Sequence, residues 1–128
     1  MVKNQSELTV IVKAKDLCSY IFTVTQKSPK QYRFTFTSKL QNLSMSVIEN
    51  IYRANETFVE KGEREAYKTR SDFQHEAMTD LKLLSYFSLL AMENKAITPK
   101  QYEQISKQST EAMNFLGGWI SKDKNRFC

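Results

Sequence analysis

The chain has 128 residues, a formal net charge of +5 and a sequence pI near 9.2, with only three glycines and two prolines. Its length is typical of one domain with a single core, and its few turn formers exclude a sandwich or barrel of many short strands. The basic balance favours an acidic partner such as nucleic acid. Two cysteines form neither a disulfide framework nor a metal motif, and no signal peptide is evident, so we expect a cytoplasmic protein.

The apolar periodicity predicts one domain over residues 7–126 after a polar leader at residues 1–6. The first helix is predicted over residues 7–27, because apolar side chains recur there every three or four positions. β-Branched residues in this segment would also suit strands, but the persistence of the 3.6-residue period favours a helix. The predicted seam consists of Ile11, Ala14, Leu17 or Cys18, Ile21 and Val24.

A Ser/Thr-Pro-Lys-Gln-Tyr pentad occurs twice, at residues 28–32 and 98–102. A Ser or Thr cap, Pro at the first helical position and Gln three residues after the cap together predict a capping box. We therefore predict two helix starts of the same design. The flanking residues do not match, so the pair indicates reuse of a start signal and not a structural repeat.

The second helix is predicted over residues 29–58, followed by a turn at Gly62. Its near-heptad seam consists of Phe36, Leu40, Leu43, Val47, Ile51, Ala54 and Phe58, broadened by Phe34, Met45, Ile48 and Tyr52.

The third helix is predicted over residues 63–94, with a charged first half that we expect to project from the core or to fray. Its run at 81–92 is too short to span a bilayer and is apolar on both sides. The inner stripe is Phe73, Ala77, Leu81, Leu84, Phe87 and Ala91, and the outer side carries Met78, Leu83, Tyr86, Leu89 and Leu90. Because the outer side needs something to pack against, we predict an interface with another copy at Leu83, Tyr86, Leu89 and Leu90.

Lys82 is the one formal charge within 81–92. It either extends to solvent over an apolar face or contacts a partner protein or nucleic acid.

The fourth helix is predicted over residues 99–122, with Tyr102, Ile105, Ala112, Leu116 and Trp119 along one stripe. Gly117 and Gly118 each destabilise a helix by about 1 kcal/mol relative to alanine. They indicate either a close approach of another backbone or the end of the regular helix.

Four long helices with short links predict an all-α, up-down-up-down four-helix bundle. This topology places the connections at 24–34 and 92–102 at the same end. There, five cations face one carboxylate, Glu93, giving a net charge of +4. We name these cations the basic cluster and predict that they bind nucleic acid: Lys27, Lys30, Arg33, Lys95 and Lys100.

Catalytic chemistry has little support in the sequence. His75 is expected to be a solvated surface residue. There is no Glu-x-x-His pattern for a di-iron bundle, no Gly-rich phosphate loop, no nucleophile elbow and no Cys/His pair placed for catalysis. We therefore expect no enzymatic activity, no cofactor and no metal. No recognition helix or aromatic-stacking motif is evident either, which predicts binding to phosphates without sequence specificity.

Three runs, at residues 13–33, 80–103 and 115–122, resemble a family of small bacterial four-helix-bundle proteins. The shared motifs are the (S/T)-P turn after the first helix, the I-T-P start of the last helix and a G-x-W-I ending. The family includes proteins encoded in ribosomal RNA intervening sequences and the accessory variability determinant of diversity-generating retroelements. The resemblance covers about residues 9–122.

The resemblance implies a homopentameric ring with a basic surface, nucleic-acid binding and, for the retroelement branch, association with the element's reverse transcriptase during mutagenic reverse transcription. Lys82 falls where the family tends to place a basic residue on the third helix. Tyr86, one turn on, stands where a second basic residue would be expected. Our first hypothesis is a non-enzymatic retroelement accessory protein that binds nucleic acid and the reverse transcriptase. The alternative is a structural or protein-interaction bundle of the intervening-sequence type, without a nucleic-acid role.

Overall fold

The computed structural model describes residues 5–128, and side chains from Thr9 onward, as helices and connections without a strand. The long helices are α1 (Gln5–Thr25), α2 (Ser38–Glu56), α3 (Arg64–Glu93) and α4 (Pro99–Phe127). A 3-10 turn (Lys30–Tyr32) and a π turn (Arg33–Thr37) precede α2. Gln5 and Ser6 of the predicted leader already belong to α1, and the rest of that leader lies outside the described residues.

The four helices pack as a closed bundle: α1 lies between α2 and α4, and α3 lies between the same two helices on the other side. Each helix therefore neighbours the helices next to it in the sequence, and α1 meets α4, as the up-down-up-down prediction requires. Trp119 is the largest fully buried side chain, surrounded by a core of aliphatic residues. No helix in the described part of the chain combines the length and apolar character needed to span a bilayer.

The predicted inner stripe of α3 is confirmed where its members are aliphatic. Leu81 and Leu84 are fully buried, together with Ala77 and Ala91. The aromatic members Phe73 and Phe87 are half-buried at the margin of the core. On α1, Val10 faces the core and Ile11, which the sequence placed in the seam, lies at its edge.

The two pentads begin their helices differently, which corrects the prediction of two matching starts. Thr98 forms the complete capping box: its Oγ1 accepts from the Gln101 N–H at 3.1 Å, and its own N–H donates to Gln101 Oε1 at 2.9 Å. Ser28 forms no cap, and its buried hydroxyl has no hydrogen-bond partner. The physical reason is a shift of one residue, because extended Pro29 takes the cap position of the 3-10 turn.

The end of α2 corrects a second prediction. The helix stops at Glu56, and Thr57 adopts an extended conformation with φ −83° and ψ 102°. The helical spacing that placed Phe58 in the seam is therefore interrupted before it, and Phe58 is 64% exposed. Val59 turns into the bundle and is buried in its place.

The charged first half of α3 neither frays nor projects, contrary to the sequence-based expectation. Arg70 and Gln74 are buried in the bundle because they share a carboxylate on α4. Asp123 Oδ2 accepts from Arg70 Nε at 2.6 Å and from Gln74 Nε2 at 2.8 Å. A buried charge that is paired and hydrogen-bonded in this way can remain in the core.

The glycine pair lies inside α4, which continues to Phe127, so it does not end the regular helix. Apart from its chain neighbours and the adjacent backbone of α4, a Cβ added at Gly117 or Gly118 would meet no atom within 4 Å. Within the bundle, the pair therefore marks neither the end of the regular helix nor a close approach of another backbone.

Candidate nucleic-acid interface

The α1–α2 and α3–α4 connections meet at one end of the bundle. The hydroxyl of Tyr32, in the first connection, donates to the backbone carbonyl of Asn94, in the second, at 2.7 Å. The ring of Tyr32 also lies 5.7 Å from the ring of Phe36, and both rings pack against the core. These contacts fix the two connections to each other.

Lys95 ends α3 in a left-handed conformation. Its φ is +64°, a value that glycine usually supplies at this position of a helix terminus. The following N–H, of Ala96, donates to the Ala91 carbonyl at 2.8 Å, which is the long-range bond of a Schellman ending. A lysine held here costs about 1 kcal/mol relative to glycine, and its side chain is exposed at the end of the bundle.

Two adjoining depressions bring members of the basic cluster together. The larger, of about 740 Å³, has Lys27 and Lys95 in its lining above apolar side chains that include Met92 and Ile97. The smaller, of about 260 Å³, is lined by Lys30 and Arg33 with four hydroxyl and amide residues: Thr25, Gln26, Ser28 and Thr37. Pro29 lines both, so the depressions are neighbours on one surface.

Lys100 and Glu93 also lie at this end. Lys100 is exposed at the second position of α4, and Glu93 lines the larger depression. Lys13, Lys68 and Arg70 form salt bridges, and none of these three residues belongs to the basic cluster. The cluster is therefore a positively charged surface open to solvent.

At this end of the bundle, the environment of Phe34 differs from the one that the sequence predicts. The helical spacing predicts that Phe34 broadens the seam of the second helix, yet its side chain is 86% exposed. Tyr32 and Phe36 turn inward on either side of it, so Phe34 points outward from the π turn. The alternation of three aromatics over five residues was the available signal, because positions two apart cannot share one face of a helix.

The predicted contact and interface residues of α3 lie away from this end. Lys82 and Leu83 are exposed in the middle of the helix, and Tyr86 is 60% exposed one turn later. Leu89 and Leu90 are half-buried. Lys82 and the neighbouring exposed apolar side chains of α3 therefore form a surface that is separate from the basic cluster.

A further polar depression, of about 520 Å³, lies between α2 and α3 and contains His75 and Asp80. His75 is exposed, as predicted, with Nδ1 at 2.8 Å from the Ser71 carbonyl oxygen. Asp80 accepts hydrogen bonds from Ser46 at 2.7 Å and Asn50 at 2.9 Å. Among the described residues, no group of His, Cys, Asp and Glu is arranged to hold a metal ion.

Comparison with known proteins identifies the family. A structural neighbour is a protein of unknown function from the S23 ribosomal protein family, from Bacteroides thetaiotaomicron VPI-5482. It is 19% identical, matches with a TM-score of 0.76, and the match covers 91% of this chain and 99% of the neighbour, which shows a shared fold. No curated protein matches the sequence. The family model described as bAvd-like matches residues 8–123, so this chain belongs to the bAvd-like family of accessory variability determinants.

Proposed function

We propose that this chain is a non-enzymatic accessory protein of a diversity-generating retroelement, which binds nucleic acid through the basic cluster and associates with the element's reverse transcriptase. Membership of the bAvd-like family supports the accessory role. The observation that carries the nucleic-acid proposal is the joining of two lysine- and arginine-bearing connections by the Tyr32–Asn94 hydrogen bond. This bond keeps cations from distant parts of the sequence on one surface.

The basic cluster acts on phosphates. Lysine and arginine side chains that neutralise phosphates release counterions, so affinity falls steeply as salt rises. Such contacts position a nucleic acid without reading its bases. The protein therefore binds RNA or DNA of many sequences.

Assembly multiplies this charge. We propose a homopentameric ring in which Leu83, Tyr86, Leu89 and Leu90 of α3 lie in the interface between copies. A cyclic ring keeps equivalent ends of its subunits on the same side. Five copies with a net +4 each bring about twenty positive charges to one rim, a field that one subunit cannot produce.

The alternative is a structural or protein-interaction bundle without a nucleic-acid role. The exposed apolar residues Leu83 and Tyr86 favour it, because they provide a protein contact surface independent of the basic cluster. The two proposals differ in whether the charge is used for binding or only for solubility.

A charge-removal experiment separates them. The variant Lys30→Gln, Arg33→Gln, Lys100→Gln should bind a mixed-sequence oligonucleotide more weakly, with a flatter dependence of log affinity on log salt, since that slope scales with the phosphates neutralised. The matched control removes two lysines and one arginine from exposed positions at the other end: Lys61→Gln, Arg64→Gln and Lys124→Gln. Both variants should retain the helical circular dichroism spectrum of the parent.

Equal affinity and slope for the parent and the basic-cluster variant would overturn the nucleic-acid proposal for this end. If Lys82→Ala abolished binding at the same time, the α3 surface would be the site. We expect Lys82→Ala instead to weaken association with the reverse transcriptase or with neighbouring copies, since Lys82 lies mid-helix beside Leu83.

A further inference from the structure

Phe34 is highly exposed, and the proposed function assigns it no role. At 86%, Phe34 is more exposed than any other large apolar side chain that the structure describes. Single exposed apolar residues are common on protein surfaces and need no explanation by themselves. For Phe34, however, the backbone and the neighbouring charges indicate a role in binding.

The backbone that carries Phe34 is fixed on both sides. Two residues before it, Tyr32 packs on the core and donates its hydroxyl to the Asn94 carbonyl at 2.7 Å. Two residues after it, Phe36 packs on the core and the chain continues directly into α2. Phe34 itself lies in a π turn, a conformation that is often found at functional sites. The outward aromatic ring is therefore presented by a rigid segment.

The stretch of sequence around Phe34 is basic. No Asp or Glu occurs between Asp16 and Glu49, whereas the same stretch holds four cations: Lys27, Lys30, Arg33 and Lys39. Arg33 is the direct neighbour of Phe34 and lines the smaller depression with Lys30. A flat apolar ring beside cations complements a polyanion that also carries flat apolar groups, and a nucleic acid with unpaired bases has both features.

We propose that Phe34 is a stacking platform for an unpaired base, so that this end of the protein binds single-stranded nucleic acid in preference to duplex. The inference rests on the proposed function, because Arg33 and Lys30 hold the phosphates on either side of the stacked base. In a duplex both faces of each internal base are covered by its neighbours, so the ring has nothing to stack on. In a single strand, one base turns onto Phe34 while the backbone follows the two depressions that share Pro29.

The experiment measures fluorescence anisotropy of a mixed-sequence single strand and of the blunt duplex of the same sequence. Phe34→Ala should weaken single-strand binding by roughly 5- to 150-fold, the contribution of one stacked base, and should change duplex binding less than about twofold. The salt slope should stay unchanged, since no phosphate contact is lost. Phe34→Trp should retain single-strand binding, because the larger ring also stacks.

The matched control is Phe58→Ala. Phe58 is also an exposed phenylalanine in a connection, but it lies at the opposite end of the bundle, between Glu56 and Glu60. Its replacement should leave binding to both oligonucleotides unchanged.

Three results would overturn the stacking proposal. If the charge-removal variant weakens binding while Phe34→Ala binds the single strand as the parent does, stacking fails and the phosphate-binding function stands. Equal losses for single strand and duplex would assign Phe34 to the phosphate surface. A change in oligomeric state or in reverse transcriptase association, without a change in single-strand affinity, would make Phe34 a protein contact. If the parent binds neither oligonucleotide, the proposed function itself fails.

Discussion

Arg70 of α3 and Asp123 of α4 form a buried ion pair, with 2.6 Å between Arg70 Nε and Asp123 Oδ2. A second guanidinium nitrogen, Nη1, lies 3.4 Å from the Ala54 and Thr57 carbonyl oxygens at the end of α2. The guanidinium carbon is 5.1 Å from the centre of the Trp119 ring. One side chain thus connects three helices at the end of the bundle opposite the basic cluster.

Breaking this pair should be costly. Asp123→Asn leaves the guanidinium buried without its counter-charge and should lower the free energy of unfolding by about 3–5 kcal/mol. The double variant Arg70→Met, Asp123→Leu should lose less than the sum of its single changes, because it leaves no unpaired charge. Urea denaturation measures each value. Lys68→Gln, which removes an exposed salt bridge to Asp72, is the control and should have almost no effect. Additive single and double effects would contradict the coupling.

The two pentads provide a matched pair of cap variants. Thr98→Ala removes the acceptor of the Gln101 N–H in the capping box and should cost about 1 kcal/mol in the free energy of unfolding. Ser28→Ala removes a buried hydroxyl that has no partner, so it should be neutral or stabilising. Thermal unfolding of the two variants tests this difference, and an equal loss would show that Ser28 does cap its helix in solution.

The glycine pair of α4 is predicted to be replaceable. Gly117→Ala and Gly118→Ala should each stabilise the protein by about 1 kcal/mol, because both sites are helical and an added Cβ meets nothing within 4 Å. Gly62→Ala is the contrasting control, because its φ of +91° is strained for any residue with a Cβ. Denaturation midpoints of the three variants check the prediction. A loss of stability at Gly117 or Gly118 would mean that another molecule packs against them.

The salt bridge between Lys13 and Glu111 predicts a pH dependence. Its Nζ–Oε1 distance is 2.5 Å, and the hydrogen bond from Lys13, followed by its charge, lowers the pKa of Glu111. Because the folded-state pKa lies below the unfolded value, the contribution to stability is present above the unfolded pKa and is lost as pH falls through the folded pKa. A carboxyl-detected NMR titration should show this lowered pKa, and Lys13→Met should return it towards its ordinary value. Identical titration curves would exclude the salt bridge in solution.

The outer surface of α3 makes the ring testable. The parent should sediment as one species of five subunits, and Leu83→Glu combined with Tyr86→Glu should dissociate it without loss of helix, because charges would then be buried between copies. Light scattering measures the number of subunits, and circular dichroism measures the helix content. Thr110→Glu, at an exposed polar position of α4, should leave the assembly intact. A monodisperse monomer of the parent at micromolar concentration would remove this surface as an interface.

Local periodicity was sufficient to predict the four long helices and most of the aliphatic core, but not the 3-10 and π turns before α2. Leu81 and Leu84 are buried because a sustained 3.6-residue pattern leaves a helix few other orientations. The two pentads differ only in Ser against Thr, yet only the second one forms a capping box. Thr98 caps a helix and Ser28 does not, because the conformation at Pro29 depends on how the connection packs at the end of the bundle.

The errors at Arg70 and Phe34 have a common origin in contacts that no local pattern records. A charged residue is usually solvated, and the carboxylate that makes burial of Arg70 possible lies 53 positions later in the sequence. The spacing that places Phe34 beside the seam holds only for an uninterrupted α-helix, whereas residues 33–37 form a π turn. The basic cluster could be predicted because topology alone determines which connections share an end.

Pairing with Arg70 neutralises the Asp123 carboxylate at the end of the bundle opposite the basic cluster. The helix macrodipoles of an up-down-up-down bundle oppose one another and largely cancel, so side chains determine the asymmetry of the molecule. Residues 56–65 and 122–126 together with Arg70 carry six cations and five carboxylates, a net charge of +1, whereas the opposite end carries +4. The protein therefore has a permanent dipole moment along the bundle axis. The field of a polyanion exerts a torque on this dipole during diffusion, so the Tyr32–Asn94 end turns towards the polyanion before any contact is made.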